Sequence, residues 1–277
     1  MTEFMGIEYS RGATATVREG GPALAPRAVQ NMFPDADWTI VTADATTAAE
    51  CAADRFGDCA RIQKKIYAAT PTTRHIMIGG DHSVNFGHFA AIADHTADDL
   101  CLVYIDAHLD IHTPQSSQAE ASGAPHGTNI RALLGDGDPR WIALQHHTPA
   151  LRPENLFYLG TRSYEPSEIK FVRDNNIFMR TPDDLKTPNA LKATVAEIRK
   201  KIGRRPFVVS FDFDAIDPTY FRDVWVPEPD GITTDAAMYL VREFNDALSF
   251  EFVEYAPSGD PACADLARHL IQAASEN

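Results

Sequence analysis

Residues 100–112 read LCLVYIDAHLDIH, an apolar run that ends in polar side chains at alternate positions. A continuous apolar run is typical of a strand that is buried on both faces of a parallel sheet. Alternate residues of an extended chain share one side, so Asp106, His108 and Asp110 can converge on one point. Carboxylate and imidazole groups without a thiolate suit a divalent ion of the manganese type. The pattern predicts a metal site at a strand end, with a solvated acidic loop as the alternative.

Two further apolar runs end in the same kinds of side chain. Residues 75–83 read HIMIGGDHS, in which His82 follows a glycine pair that permits a tight turn. Residues 207–214 read FVVSFDFD and end in the alternate carboxylates of Asp212 and Asp214. One such strand end is common by chance. Ligand-type side chains at three strand ends favour one shared metal centre, because parallel strands end at the same edge of a sheet.

The composition describes an acidic protein that can form a large core. The chain has 277 residues, of which 44% are hydrophobic, and its formal net charge is −14. This charge argues against nucleic acid and anionic membranes as partners and is compatible with a cationic substrate. No apolar run reaches the length of a membrane span, and the N-terminus lacks a signal-peptide pattern. The four cysteines form no C-x-x-C pair, so we expect reduced thiols in a cytoplasmic protein.

Predicted strands and helices alternate along the chain. The strands are Gly6–Tyr9, Trp38–Val41, His75–Ile78, Leu100–Ile105, Asn155–Leu159, Ile177–Arg180, Pro206–Asp212 and Glu251–Tyr255. The helices are Ala23–Met32, Thr47–Ala69, Val84–Ala93, Thr128–Leu134, Ser167–Asn175, Ala190–Ile202, Asp235–Leu248 and Asp265–Ala274. Such alternation favours a three-layer α/β/α fold with a mostly parallel sheet of about eight strands. No linker interrupts the pattern, so residues 1–277 are expected to form a single domain.

The three motifs resemble the signatures of the ureohydrolase superfamily, which comprises arginases, agmatinases and formimidoylglutamases. The matching segments are Gly79–Ser83, Asp106–Asp110 and Ser210–Pro218, and the resemblance extends from about Gly20 to the C-terminus. It implies an arginase-like fold and a catalytic domain with two Mn²⁺ ions per subunit. It also implies hydrolysis of a guanidinium group to urea and an amine. A homo-oligomer is compatible with this assignment.

The resemblance further implies a set of metal ligands. One ion would be held by His82, Asp106, Asp110 and Asp212, and the other by Asp106, His108, Asp212 and Asp214. Four aspartates balance two divalent cations, and such a pair can ionise a bridging water near neutral pH. The hydroxide would then attack the guanidinium carbon, so Asp110 counts as a catalytic residue as well as a ligand.

Two more positions match catalytic residues of the superfamily. In APHGT, residues 124–128, His126 matches the loop histidine that relays a proton to the leaving amine. An imidazole titrates in the range that this relay requires. In FVEYAP, residues 252–257, Glu254 matches the carboxylate that binds the guanidinium group. A carboxylate can pair bidentately with a planar guanidinium and so orient its carbon.

The match is weaker where arginases bind the α-carboxylate and α-amino groups of arginine. Arginases carry an asparagine after the D-x-H-x-D motif and Ser-Gly-Asn before the loop histidine. This chain has His112 and Ser122-Gly123-Ala124, so the serine is retained and both amides are lost. Glu165 and Glu168 fall where arginases bind the α-amino group and can hold a distal amine. These differences favour agmatine over L-arginine, with His112, Ser122, Glu165 and Glu168 as substrate-binding candidates. The loop from His112 to Pro125 is expected to form a lid or one wall of the active site.

Three functions are open at this point. The first is hydrolysis of a small guanidino compound that resembles agmatine or arginine. The second is hydrolysis of an amidine such as formimidoylglutamate, whose negative charge would need a cation; Arg131 and Arg162 are the candidates. The third is a non-catalytic metal-binding relative, which the complete ligand set argues against. A zinc-dependent deacetylase shares the architecture, but six ligands for two ions argue against it.

Overall fold

The computed structural model of the chain describes residues 2–13, 21–96, 99–116 and 123–276. Its strands are β1 (Glu3–Glu8), β2 (Asp37–Thr42), β3 (His75–Ile78), β4 (Cys101–Ile105), β5 (Leu156–Leu159), β6 (Phe178–Arg180), β7 (Phe207–Asp212) and β8 (Ser249–Val253). They form one eight-stranded sheet in the order β2-β1-β3-β8-β7-β4-β5-β6. Every pairing between these strands is parallel. The predicted α/β fold is confirmed, and the sheet is wholly rather than mostly parallel.

Helices connect the strands and cover both faces of the sheet. In the described part of the chain they are α1 (Ala25–Met32), α2 (Ala48–Ala53), α3 (Arg55–Ala69), α4 (Asn85–Thr96), α5 (Asn129–Leu133), α6 (Pro139–Ile142), α7 (Pro166–Asp174), α8 (Pro188–Ile202), α9 (Thr234–Glu243) and α10 (Pro261–Ser275). Helices α1, α8, α9 and α10 pack in the hydrophobic core on one face. Helices α3 to α7 pack in the core on the other face, which completes the three layers.

Strand β4 shows why its sequence is continuously apolar. Val103 and Ile105 point into the core of one face, whereas Leu102 and Tyr104 point into the core of the other. All of its residues are therefore buried, as expected for a central parallel strand between two helical layers. The apolar run ends at the carboxyl end of the strand.

The predicted helix Thr47–Ala69 is wrong as a single element. The chain leaves helical geometry at Asp54, which has φ −152° and ψ 75°, and the two helices α2 and α3 lie on either side of it. The Asp54 carboxylate accepts a hydrogen bond from the Gly57 amide at 2.9 Å and so caps α3. The capping preference of aspartate outweighs the helical periodicity of the segment.

The predicted helix Asp235–Leu248 also ends early, at Glu243. The amide of Leu248 donates to the Phe207 carbonyl at 2.9 Å, which begins the pairing of β8 with β7. The residues before it must form a turn and cannot continue the helix. The short helix α6 was not predicted.

No helix in the described ranges is both long and apolar enough to cross a membrane. All four cysteines are buried, and none is paired in a disulfide bond.

Candidate active site

The candidate ligands follow adjacent strands at the centre of the sheet. Strands β3, β8, β7 and β4 are neighbours, and their carboxyl ends lie at one edge. His82 follows β3, Glu254 follows β8, Asp212 ends β7 and Asp106 follows β4. The three sequence motifs therefore meet, because the parallel topology brings their strand ends together.

Backbone amides fix three of the aspartates. Asp106 Oδ1 accepts from the His108 amide at 2.6 Å, and Asp212 Oδ1 accepts from the Asp214 amide at 2.8 Å. Asp214 Oδ1 accepts from the amide of Ala107 at 3.2 Å. In each case one carboxylate oxygen is held by the backbone, and the second oxygen faces a histidine.

His82 lies among three carboxylate oxygens. Its Nδ1 is 2.9 Å from Asp106 Oδ2, 3.1 Å from Asp212 Oδ2 and 3.4 Å from Asp110 Oδ2. Its Nε2 lies 2.9 Å from the hydroxyl of Ser210 on β7. The hydrogen bond to Ser210 orients the ring, and Nδ1 is left facing the carboxylates.

A second cluster forms around His108. Its Nδ1 is 3.0 Å from Asp214 Oδ2 and 3.5 Å from Asp106 Oδ1. Two groups in the described residues have the spacing of a metal site, His82-Asp106-Asp110 and Asp106-His108-Asp214. Asp106 belongs to both groups. Asp212 is not in either group but contacts His82, a member of the first.

Tyr104 contributes to the first cluster and was missed in the sequence. Its hydroxyl donates to Asp110 Oδ2 at 2.8 Å, and its ring stacks on His82 with a centroid separation of 4.5 Å. The signal was available, since Tyr104 stands two residues before Asp106 and therefore on the same side of the strand. Its place in an apolar run concealed it.

The residues fit bound cations. Asp106 Oδ2 is buried and lies 2.9 Å from His82 Nδ1, but within the described ranges no donor meets it with the geometry of a hydrogen bond. Burial, together with the charges of Asp214 and Asp106, raises the pKa of Asp212 well above its usual range. Burial and the charge of Asp106 raise the pKa of Asp110 to about 7. Buried carboxylates that repel one another in this way need compensating positive charge, and an oxygen and imidazole donor set suits Mn²⁺.

A cavity of about 290 Å³ opens onto these clusters. Five of the six candidate ligands line it, Asp106 being the exception, and so do His112, His126, Glu165, Glu168 and Glu254. The structure thus brings the predicted catalytic and substrate-binding side chains to one cavity. Ser122, together with the centre of the predicted loop wall, lies outside the described residues.

Glu254 is fixed at the end of β8. Its Oε1 accepts from the His82 amide at 2.9 Å, and its own amide donates to the Gly80 carbonyl at 2.8 Å. Glu254 has φ 62°, and Asp110 has φ 48°, so both carboxylates stand on left-handed backbone. Burial and the charge of Asp81 raise the pKa of Glu254 well above its usual range. A cation beside this carboxylate would restore its ionised form.

His126 has a defined tautomer. Its Nδ1 lies 3.2 Å from the carbonyl oxygen of Gly12, and a carbonyl can only accept, so Nδ1 carries the proton. Burial lowers the pKa of His126 to about 4. This pKa lies below the near-neutral range expected from the sequence, so the imidazole is neutral at pH 7 and its Nε2 carries the lone pair.

His112 lies beside the acidic end of the cavity. Its Nε2 is 3.3 Å from Glu168 Oε2 and 3.5 Å from Glu165 Oε1. The Glu168 carboxylate also accepts from the amides of Glu165 and Ile111, at 2.9 and 3.3 Å, which ties α7 to the D-x-H-x-D segment. These three candidates for substrate binding are thus neighbours.

The two arginines considered as pocket cations have other partners. Arg131 pairs with Asp136 at 2.6 Å, and its guanidinium stacks 3.8 Å over the Phe171 ring. Arg162 donates to backbone carbonyls, including those of Pro229 and Asp214 at 2.7 and 2.9 Å. Among the described residues that line the cavity there is no lysine and no arginine. The described wall is therefore acidic.

The chain is similar in sequence to known proteins. The sequence model of the Arginase family matches residues 5–275. The arginase of Bacillus caldovelox is 31% identical over 188 residues, which cover 66% of this chain and 61% of that protein. The chain thus matches about three fifths of the length of this relative.

Solved structures resemble the chain over almost its whole length. The crystal structure of arginase from Bacillus subtilis has a TM-score of 0.83 at 21% identity and covers 100% of this chain and 98% of its own. The formimidoylglutamase of the same species has a TM-score of 0.77 at 19% identity, covering 99% and 85%. At these identities the likeness concerns the fold.

Proposed function

The chain belongs to the arginase family, and on that premise we propose that it hydrolyses a small guanidino compound with a second positive charge, giving urea and an amine. We assign this activity to residues 1–277 as a single catalytic domain. The observation that carries the proposal is an acidic cavity, beside two carboxylate–histidine clusters, whose described wall has no lysine or arginine. Such a wall favours a substrate that is cationic at both ends.

The cofactors in this proposal are two Mn²⁺ ions per subunit. The first would be held by His82, Asp106, Asp110 and Asp212, and the second by Asp106, His108, Asp212 and Asp214. When bound, the two ions neutralise the four aspartates and lower the pKa of water enough to supply a hydroxide at neutral pH. Asp106 Oδ2, which accepts no well-aligned hydrogen bond within the described ranges, and the presence of Asp106 in both clusters support a shared ligand at this position.

Glu254 orients the guanidinium group in this proposal. Its carboxylate lines the cavity, and the His82 amide holds one of its oxygens at 2.9 Å. Pairing with the planar cation presents the guanidinium carbon to the nucleophile and favours the ionised form of the buried carboxylate. Glu254 thus sets the position of the reacting group, and the bound guanidinium in turn keeps Glu254 ionised.

His126 moves the proton. The Gly12 carbonyl keeps Nδ1 protonated, so Nε2 is the atom that accepts a proton from the reacting water or the tetrahedral intermediate. The same nitrogen then delivers the proton to the amine as the carbon–nitrogen bond breaks. A neutral leaving amine is a far better leaving group than its anion, which is why this transfer accelerates the reaction.

We predict that agmatine has a higher kcat/KM than L-arginine, and L-arginine a higher one than 4-guanidinobutyrate. Ala124 and His112 replace amides that bind a carboxylate in arginases, and Glu165 and Glu168 attract a distal ammonium. Each missing hydrogen bond to a charged group costs about 1.5–3 kcal/mol, or about ten- to a hundredfold in kcat/KM. Urea release with Mn²⁺ measures the order. A clear preference for arginine would mean that the loop from Gln115 to Glu120, and not position 124, sets specificity.

Formimidoylglutamate is the control substrate, and its hydrolysis is followed through the release of glutamate, because a formimidoyl group leaves as formamide and yields no urea. Its hydrolysis, the alternative function, requires a cation for two carboxylates, and the two arginines considered for that role bind Asp136 and backbone carbonyls instead. We expect its kcat/KM to be at least about a hundredfold below that of agmatine. Comparable values for the two substrates would favour the amidine hydrolase.

A further inference from the structure

We propose that Glu228 is a positioning residue that orients His108 for the second metal ion. The inference rests on the proposed binuclear site and adds a residue that lies outside the set of six ligands. Its loop, residues 226–231, precedes α9 and is far in sequence from the D-x-H-x-D motif.

The two nitrogens of His108 face different carboxylates. Nδ1 is 3.0 Å from Asp214 Oδ2, on the metal side, and Nε2 is 3.5 Å from Glu228 Oε1 on the other side. The hydroxyl of Ser163 donates to the same Glu228 oxygen at 3.1 Å. A carboxylate beside Nε2 favours the tautomer with its proton there, which leaves the Nδ1 lone pair for a cation.

The distance of 3.5 Å is at the outer limit of a hydrogen bond. His108 is one quarter exposed, at 25%, so the packing around its ring is incomplete. Ser163 holds the carboxylate on the other side of this contact and keeps it in place. The geometry therefore suits a hydrogen bond between His108 Nε2 and Glu228 that shortens when a metal ion binds at Nδ1.

Arg162 fixes the loop that carries Glu228. Its guanidinium donates to the carbonyls of Glu228 and Pro229 at 2.6 and 2.7 Å. The same group donates to the carbonyl of Asp214 at 2.9 Å. One planar side chain thus ties the backbone of Glu228 to the backbone of a candidate ligand, so the distance between the two is constrained.

The far end of the loop is equally well held. The Gly231 amide donates to Asp217 Oδ2 at 3.1 Å, and the amides of Asp217 and Ile232 donate across a short parallel bridge. A Cβ atom on Gly231 would lie 2.4 Å from the Asp217 nitrogen, so only glycine permits this approach. Glu228 is therefore placed by rigid backbone, as a positioning residue requires.

The test measures metal binding directly. Metal-free wild type and Glu228→Ala are titrated with Mn²⁺ by calorimetry, and bound manganese is counted after dialysis. We expect two ions in the wild type. In Glu228→Ala, one site should weaken by about 10- to 100-fold while the other keeps its affinity. The unfolding midpoint of the metal-free protein should not change, and excess Mn²⁺ should restore most of kcat.

Two further variants sharpen the result. Glu228→Gln keeps the shape and removes the charge, so a smaller weakening of the same site is expected even if the alanine variant fails to fold. Asp230→Asn is the matched control in the same loop: Asp230 is exposed and has φ 60°, a conformation that asparagine tolerates. It should bind both ions with the wild-type affinities.

The outcomes separate this inference from the proposed function. Two ions in the wild type and unchanged affinities in both Glu228 variants would overturn the positioning role and leave the binuclear hydrolase intact. A single ion in the wild type would overturn both. Selective weakening of one site, without weakening in Asp230→Asn, supports the assignment.

Discussion

Asp106→Asn is expected to abolish urea release and to lower the manganese content below two ions per subunit. Asp106 is the candidate ligand common to both clusters, with oxygens 2.9 Å from His82 Nδ1 and 3.5 Å from His108 Nδ1. Asparagine keeps the volume but removes a negative charge that both cations require. Breaking a buried charge pair costs about 3–5 kcal/mol, which corresponds to about 10²- to 10⁴-fold in metal affinity.

Manganese counted after dialysis and urea release at saturating substrate measure the effect. Asp99→Asn is the control, since Asp99 lies near the amino end of the same strand and is exposed, with Arg205 at 3.6 Å. It should retain both ions and full turnover. Full activity of the wild type with only one tightly bound ion would contradict the binuclear interpretation.

His126→Ala is expected to lower kcat by about 10²- to 10⁴-fold without loss of manganese. The side chain lines the cavity and donates to the Gly12 carbonyl, and among the described residues no hydrogen bond joins its ring to a candidate ligand. Its removal should therefore affect proton transfer and leave metal binding intact. Steady-state kinetics with agmatine, together with the metal content of the same preparation, measure both effects.

A surface histidine provides the comparison. His146 is 72% exposed and remote from the cavity wall, so His146→Ala should keep the wild-type kcat. If His126→Ala also keeps it, His126 is a loop residue and another group must carry the proton.

The sequence predicted the site best where ligand-type side chains stand at the ends of predicted strands. Asp106, His108 and Asp110 were expected on one side from the period of a strand, but in the structure they follow β4 and Asp110 has left-handed backbone, so they converge through a loop instead. Their meeting with His82 and Asp212 followed from a parallel sheet, in which all strands end at one edge. The order β3-β8-β7-β4, which makes these ends neighbours, could not be read from the alternation of strands and helices.

Contacts between loops were not predictable in the same way. The Arg162 guanidinium brings Glu228 close to His108 by donating to the Glu228 backbone carbonyl. In the sequence, Arg162 was a candidate pocket cation. Neither periodicity nor residue type distinguishes an arginine that binds carbonyls from one that binds a substrate. Such assignments depend on tertiary geometry, and the division of Thr47–Ala69 at Asp54 likewise depended on one local hydrogen bond.

The left-handed backbone at Asp110 and Glu254 has a consequence for engineering this protein. Non-glycine residues in this conformation carry a strain of about 1–3 kcal/mol each, which glycine would relieve. A directed-evolution screen that rewards heat tolerance alone would favour glycine at both positions and discard two carboxylates of the cavity. A screen that rewards turnover would keep them. At these two positions, selection for robustness and selection for catalysis favour opposite substitutions.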